Sequence, residues 1–245
     1  MNSTSTFGQY SKALITDIPA DLSTPEALNF KKTIPKFPEE AIYIYSFKED
    51  RMKYADGWED VLGYKDSEIT MMKIVSITAP EYALFSNELN DKALLFINSK
   101  TKDLDKYSFT IELKKIHSNG NLIPLILRVG VFRSENGRVT EIIGHCQINR
   151  SIKFGTVMKY NAYGPAKSEF EGNLNKALFQ HFAISGKEKE ALALVAKGYS
   201  FKEIASLLEV SQSAIEKRII PLYKRFNVRS LSHLISFATE NNILP

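Results

Sequence analysis

In the stretch SQSAIEKRIIPLYKRF, residues 211–226, the side chains able to donate a hydrogen bond, accept one or neutralise charge follow a pattern. At about 100° per residue, Ser213, Glu216, Lys217, Ile220 and Lys224 fall on one side of a helix, opposite an apolar stripe of Ile215, Ile219, Leu222 and Phe226. A hydroxyl, a carboxylate and two ammonium groups on one outward face suit hydrogen bonding and charge neutralisation; they do not suit bond making. Catalytic groups are not assembled in the same way. His117, His145, His181 and His233 are widely spaced, and none stands in a metal-ligand spacing or beside a nucleophile motif. There is no glycine-rich phosphate loop and no Gly-x-Ser-x-Gly. The sequence therefore predicts no enzyme, no catalytic residue, no metal site and no bound cofactor.

The elements that must position this face are marked by capping signals. Ser185-Gly186-Lys187-Glu188 and Ser200-Phe201-Lys202-Glu203 both fit a capping box, in which serine and glutamate satisfy each other's orphan backbone amides. Gly198 stands where the first of these helices must end. Helices are thus predicted at about 186–197 and 201–208, a third capped by Ser211, and a fourth at about 231–241 after Arg229 and Ser230. Two short helices joined by a tight turn, the second exposing polar side chains, describe a helix-turn-helix whose second helix can lie in a major groove. Periodicity alone leaves open the alternative of an ordinary solvent-facing amphipathic helix.

The chain of 245 residues is 44% hydrophobic, long enough for one or two folded domains, and carries a net charge of +4. That mild excess suits a polyanionic partner without deciding for one. A single cysteine, Cys146, excludes an intramolecular disulfide framework. No apolar run has membrane-spanning length and MNSTSTFGQY does not read as a signal peptide, so a cytoplasmic protein without membrane contact is expected.

Residues 1–40 read as a polar N-terminal extension with one helix start, where Ser23 or Thr24 caps and Pro25 takes the first helical position. Residues 41–150 have mostly strand periodicity: two short runs, helical pieces around WEDVLGY and PEYALFSNELNDKALLFINSK, then KYSFTIELKKIH, LIPLILRVGVF and RVTEIIGHCQIN, joined at Asn119-Gly120 and Asn136-Gly137. This predicts one antiparallel sheet with helices on one face. Residues 151–183 read as a linker with a connecting helix, and 184–245 as an all-helical domain. The fold class is α+β followed by a four-helix unit.

The order of elements over 41–150, with Trp58-Glu59-Asp60-Val61-Leu62-Gly63-Tyr64 followed by Asp66-Ser67-Glu68-Ile69, resembles a PAS sensor domain. The resemblance implies reception or relay of a small-molecule or protein signal. Leu84, Phe85, Leu89 and Leu95 are candidate lining residues of a ligand pocket, and a packed core explains them equally well. A flavin adduct of the PAS type needs a helical cysteine, whereas Cys146 falls in a strand; a PAS haem usually needs a helical histidine, and residues 81–99 contain none.

The segment from Ile184 to Leu244 resembles the LuxR-type DNA-binding domain. The matching residues run through Ile184-Ser185-Gly186-Lys187-Glu188-Lys189-Glu190-Ala191-Leu192, Gly198-Tyr199-Ser200, Lys202-Glu203-Ile204-Ala205, Leu208, Val210-Ser211, Ile215, Lys217-Arg218-Ile219, Leu222-Tyr223 and Asn227-Val228-Arg229. The resemblance implies a bacterial transcription regulator that binds double-stranded DNA as a homodimer, with the third helix in the groove and the fourth at the dimer contact. Ser200, Lys202, Ser211 and Lys217 are then expected to meet phosphates, while Ser213, Glu216, Ile220 and Lys224 share the outward side. Leu231, Leu234, Ile235 and Ala238 are the candidate dimer residues. Ala214, Glu216, Arg218 and Pro221 depart from the family pattern, and Pro221 should kink or loosen the third helix. Residues 181–245 hold nine lysines and arginines against six glutamates, so most of the net charge lies here. The alternative is an interaction or relay module whose helix-turn-helix binds DNA weakly or not at all. An acyl-homoserine-lactone receptor fits less well, because its ligand site relies on a cluster of tryptophan, tyrosine and aspartate and this chain has only Trp58. A response-regulator receiver would need a parallel sheet, against the hairpin signals.

Overall fold

A computed structural model of the protein describes residues 13–150, 159–170, 185–226, 228–240 and 244. The chain divides into two compact units, a sheet unit containing the first two of these ranges and a helical unit containing the rest. The predicted connecting helix around LNKALFQHF lies outside the described residues.

The sheet unit opens with α1 (Pro25–Thr33), capped by Thr24, whose hydroxyl accepts from the Ala27 amide at 3.2 Å. Strands β1 (Glu40–Ser46) and β2 (Arg51–Asp56) form a hairpin, followed by three short helices and then one long one. These are α2 (Trp58–Leu62), a 3₁₀ turn at Asp66–Glu68, α3 (Met71–Ser76) and α4 (Pro80–Asn98). Three long strands then run as a meander, β3 (Ser108–Ile116), β4 (Leu122–Glu135) and β5 (Arg138–Ile148). Of the two predicted hairpin turns, Asn136 and Gly137 both take positive φ (51° and 72°), as a tight primed turn requires. At the other turn only Gly120 does (88°), and Asn119 instead accepts the Asn121 amide through its side chain at 3.0 Å.

Two features go beyond the sequence reading. A sixth strand, β6 (Lys159–Tyr163), extends the sheet beside β3, inside the stretch expected to be linker, so the sheet order is β2-β1-β5-β4-β3-β6 with every pairing antiparallel. The helices between β2 and β3 accompany the sheet as expected, and α1, from the N-terminal extension, covers part of the opposite face. Ala27 and Phe30 pack with Ile42, Ile44 and Tyr54, and Phe132 and Ile143 close the cluster. The reason is the double apolar character of β1: every residue from Glu40 to Ser46 is buried, so neither face of that strand can be left to solvent. The N-terminal stretch is tied down as well, with the Met52 amide donating to Ile18 at 3.0 Å and the Tyr45 hydroxyl accepting from the Thr16 amide at 3.0 Å.

The WEDVLGY segment is fixed by specific contacts. The Trp58 indole donates to the Ile42 carbonyl at 3.0 Å, and its backbone amide donates to the Asp66 carboxylate at 2.7 Å. Gly63 ends α2 in the left-handed region (φ 71°), where any Cβ would run into Ser118 and His117, and the Tyr64 hydroxyl donates to Ile116 at 3.2 Å. The signature thus docks α2 onto the β3–β4 turn.

On the helix-covered face Tyr43 lies over Gly144, its cross-strand neighbour on β5. A methyl at Gly144 would overlap the Tyr43 ring, and Tyr43 is packed against Trp58 with ring centroids 6.3 Å apart. Gly144→Ala should destabilise the sheet unit by about 2 kcal/mol through overpacking, read as an earlier unfolding transition in Trp58 fluorescence. Trp58 is the one tryptophan of the chain, so the signal reports this unit alone.

Candidate nucleic-acid interface

The helical unit contains α5 (Gly186–Ala196), α6 (Phe201–Leu207), α7 (Gln212–Arg225) and α8 (Leu231–Glu240). Both predicted capping boxes are present, at Ser185 with Glu188 and at Ser200 with Glu203. Gly198, at φ 93°, closes α5 with a paired motif: its amide donates to Val195 at 2.9 Å and the Tyr199 amide to Leu194 at 3.2 Å. Between α6 and α7 the chain turns through Glu209 in the left-handed region (φ 52°), and the Val210 amide reaches back to Ala205 at 2.9 Å.

What orients α7 is its buried stripe. Ile215, Ile219 and Leu222 are completely buried, with Phe226 at the end of the row stacked on Phe237 at 4.9 Å. They pack with Leu192, Ile204 and Leu234 in one core. An ion pair reinforces the crossing, with the Arg225 guanidinium 3.1 Å from the Glu188 carboxylate. Burial alone would raise the Glu188 pKa, but donation from the Ser185 amide and hydroxyl and from Arg225 outweighs it and holds the carboxyl below its ordinary value. A lowered carboxyl contributes stability above its unfolded pKa and loses it as pH falls through the folded one.

The side of α7 opposite the stripe carries Ser213, Lys217, Ile220 and Lys224, all exposed. Ile220 is 53% exposed between the two lysines. No ion pair is recorded for Lys217 or Lys224 among the described residues. Glu216 departs from the sequence reading. It lies on the flank of α7, half-buried, and its carboxylate accepts from Gln212 at 3.0 Å. Gln212, one helical turn earlier, was not singled out from the sequence. Pro221 does not end the helix, since α7 continues past it to Arg225. Pro221 is exposed, so the Lys217 carbonyl it leaves without a donor opens towards solvent.

The other candidates separate in the same way. Lys202 is exposed at the start of α6, and Ser211 caps α7 by accepting from the Ala214 amide at 3.2 Å, which leaves its hydroxyl proton to donate. The Ser200 hydroxyl is engaged within its own capping box, donating to Glu203 at 2.7 Å and accepting from the Glu203 amide at 3.3 Å. Of the four residues expected at a dimer contact, Leu234 and Ala238 are completely buried in the core of their own unit, while Leu231 and Ile235 remain half-buried. The first two are corrected to core residues, since the helical spacing that suggested an interface is also the spacing of the inward face.

The sheet unit holds a cavity of about 120 Å³ between the sheet and helices α3 and α4. It is lined by Ser86, Asn90, Ala93, Leu94, Phe96 and Ile97 of α4, and Phe85, Leu89 and Leu95 do not border it. Phe85 packs on Tyr160, Leu89 is buried elsewhere and Leu95 is 43% exposed; the Leu84 side chain lies outside the described residues. The polar group missed is Lys115, 2% exposed and lining the cavity, whose ammonium donates to the Ile74 carbonyl at 2.5 Å and to the Thr78 hydroxyl at 3.1 Å. The signal was present in β3, where Phe109, Ile111, Leu113 and Lys115 share the inward parity and all line the cavity. Burial lowers the Lys115 pKa to about 8 and raises the Cys146 thiol to about 12.

Two measurements follow. Glu188→Ala should cost about 2 kcal/mol by breaking the cap and the ion pair together, read as faster amide hydrogen exchange along α5; the wild-type protection should fall as pH drops below about 4.5 and that of the variant should change less. For Lys115 the folded pKa lies below the unfolded one, so stability rises with pH from about 8 upwards. Cys146 opposes this increasingly as the pH approaches its ordinary value of 9.0, but by less than Lys115 contributes below that value. Between pH 8 and 9 the Trp58-monitored stability should therefore rise by about 1 kcal/mol, and Lys115→Met should remove the rise.

The chain resembles known regulators over part of its length. Over 67 residues, 27% of this chain, it is 36% identical to a probable transcriptional regulator, ycf29, of Porphyra purpurea. Over 61 residues it is 36% identical to the oxygen regulatory protein NreC of Staphylococcus carnosus. The chain spans 32% and 28% of the length of these relatives. Among solved structures, the VqmA dimer of Vibrio cholerae covers 89% of this chain and 87% of its own at 15% identity and a TM-score of 0.37. Residues 183–238 match the family described as bacterial regulatory proteins, luxR family, and the C-terminal domain of this chain is a domain of that family.

Proposed function

We propose that the chain is a transcription regulator in which the PAS-like sheet unit receives a small-molecule or protein signal and the helical unit binds double-stranded DNA as a homodimer. The observation that carries this reading is the coincidence of a luxR-family match with a helix whose outward face holds two lysines that have no ion pair among the described residues. In this reading Lys202, Ser211, Lys217 and Lys224 meet phosphates, Ser213 and Ile220 face the groove, and Leu231 and Ile235 supply the apolar part of the dimer contact. Glu216, tied to Gln212 on the flank, moderates binding through its charge. The cavity with Lys115, at about 120 Å³, suits a ligand no larger than about a benzene ring, which a cavity of about 150 Å³ accommodates. No helix among the described residues is long and apolar enough to cross a membrane.

A second reading, an interaction or relay module with little DNA affinity, draws on the carboxylate of Glu216 and on Pro221 in the recognition helix. Selection of genomic fragments with the purified full chain at moderate salt separates the two. Enrichment of a shared sequence supports the regulator, and recovery of random DNA supports the module. On an enriched fragment, Lys217→Ala should weaken binding to specific and random DNA alike and reduce the salt slope by about 1. An unchanged slope would remove Lys217 from the phosphate contacts.

A further inference from the structure

Ile220 is a large β-branched side chain, 53% exposed, on a face otherwise occupied by polar and charged groups. Its exposure is not required by the local fold. Neighbouring Ile219 is completely buried and fills the core position of that turn, so Ile220 could be polar at no cost to packing. It stands between Lys217 and Lys224, one turn from each, and neither lysine has a recorded ion pair among the described residues. Two cations bracketing an aliphatic group present charge to a polyanion at both ends and an apolar surface between. In duplex DNA the matching apolar group is the C5-methyl of thymine, the one hydrocarbon patch on the edges of the major groove.

We propose that Ile220 is a specificity-determining residue that reads a thymine methyl in each half-site, while Lys217 and Lys224 hold the helix against phosphates on either side. The assignment rests on the DNA-binding reading above and adds to it the base and the atom recognised. Pro221, the next residue, is likewise exposed and adds no charge to this part of the helix. Charge complementarity selects DNA over an apolar protein partner, which would leave both lysines without counter-charges.

Uracil lacks only that methyl, so the test replaces thymines one at a time with deoxyuridine in an operator obtained by selection, and measures binding of the full chain. The wild type should lose roughly three- to fivefold in affinity at one position in each half-site, the share expected for one buried methyl, and nothing at the others. Ile220→Ala should bind the thymine operator more weakly and bind thymine and uracil equally at that position, with its helical circular dichroism unchanged because Ile220 is outside the core. Three results overturn the proposal. If selection yields no operator, it fails together with the regulator reading. If an operator is found but uracil is neutral at every position, only the methyl reading fails. If Ile220→Ala keeps the full discrimination, another residue reads the methyl.

Discussion

The packing of Ile215, Ile219 and Leu222 into the helical core fixes the rotation of α7, and the rest of the candidate interface depends on it. Each such side chain contributes about 1.5 to 3 kcal/mol by leaving water, so turning the helix by even one residue position would forfeit more than any surface contact could return. With the stripe inward, Ser213, Lys217, Ile220 and Lys224 must point outward, and Gln212 and Glu216 must lie on the flank. The caps at Ser200 and Ser211 then set how short α6 and the turn can be, and the Arg225 to Glu188 ion pair ties the far end of α7 to the start of α5.

Much of this was legible in the sequence because it depends on local rules. Capping boxes and the glycine at position 198 act within a few residues, and they placed the helix ends to within one residue. Glu216 was misplaced for a related reason. A helical wheel divides residues into two sides, and a flank residue at right angles to the stripe can be assigned to either; the hydrogen bond to Gln212 decides it. Leu234 and Ala238 show the opposite limit, since spacing reveals an apolar face without revealing whether the same chain or another one covers it.

In the sheet unit the strands and both turns were readable from alternation and from Asn-Gly pairs, but the second face was not. That α1 covers Ile42 and Ile44 depends on contacts between distant parts of the chain, and β6 becomes a strand only because the edge of β3 is free to pair with it. The cavity has the same character. Phe85, Leu89 and Leu95 of α4 were expected to line it, and other positions on that helix do so, because the tilt of a long helix over a twisted sheet is set by packing and leaves no mark in the pattern. Lys115 is the exception, an inward charge readable from strand parity, and its burial beside two neutral acceptors makes it the polar feature on which a ligand in the cavity would depend.

The central claim, that the outward face of α7 enters the major groove of duplex DNA in two symmetric copies, is tested most directly by methylation interference on a bound genomic fragment. Dimethyl sulfate marks guanine N7 in the major groove and adenine N3 in the minor groove, so one experiment reports on both. Depletion of methylated guanine N7 from the bound DNA at two positions about one helical turn, roughly 10 base pairs, apart is the expected result. Interference confined to adenine N3, or none at all on DNA that the full chain binds, would contradict it.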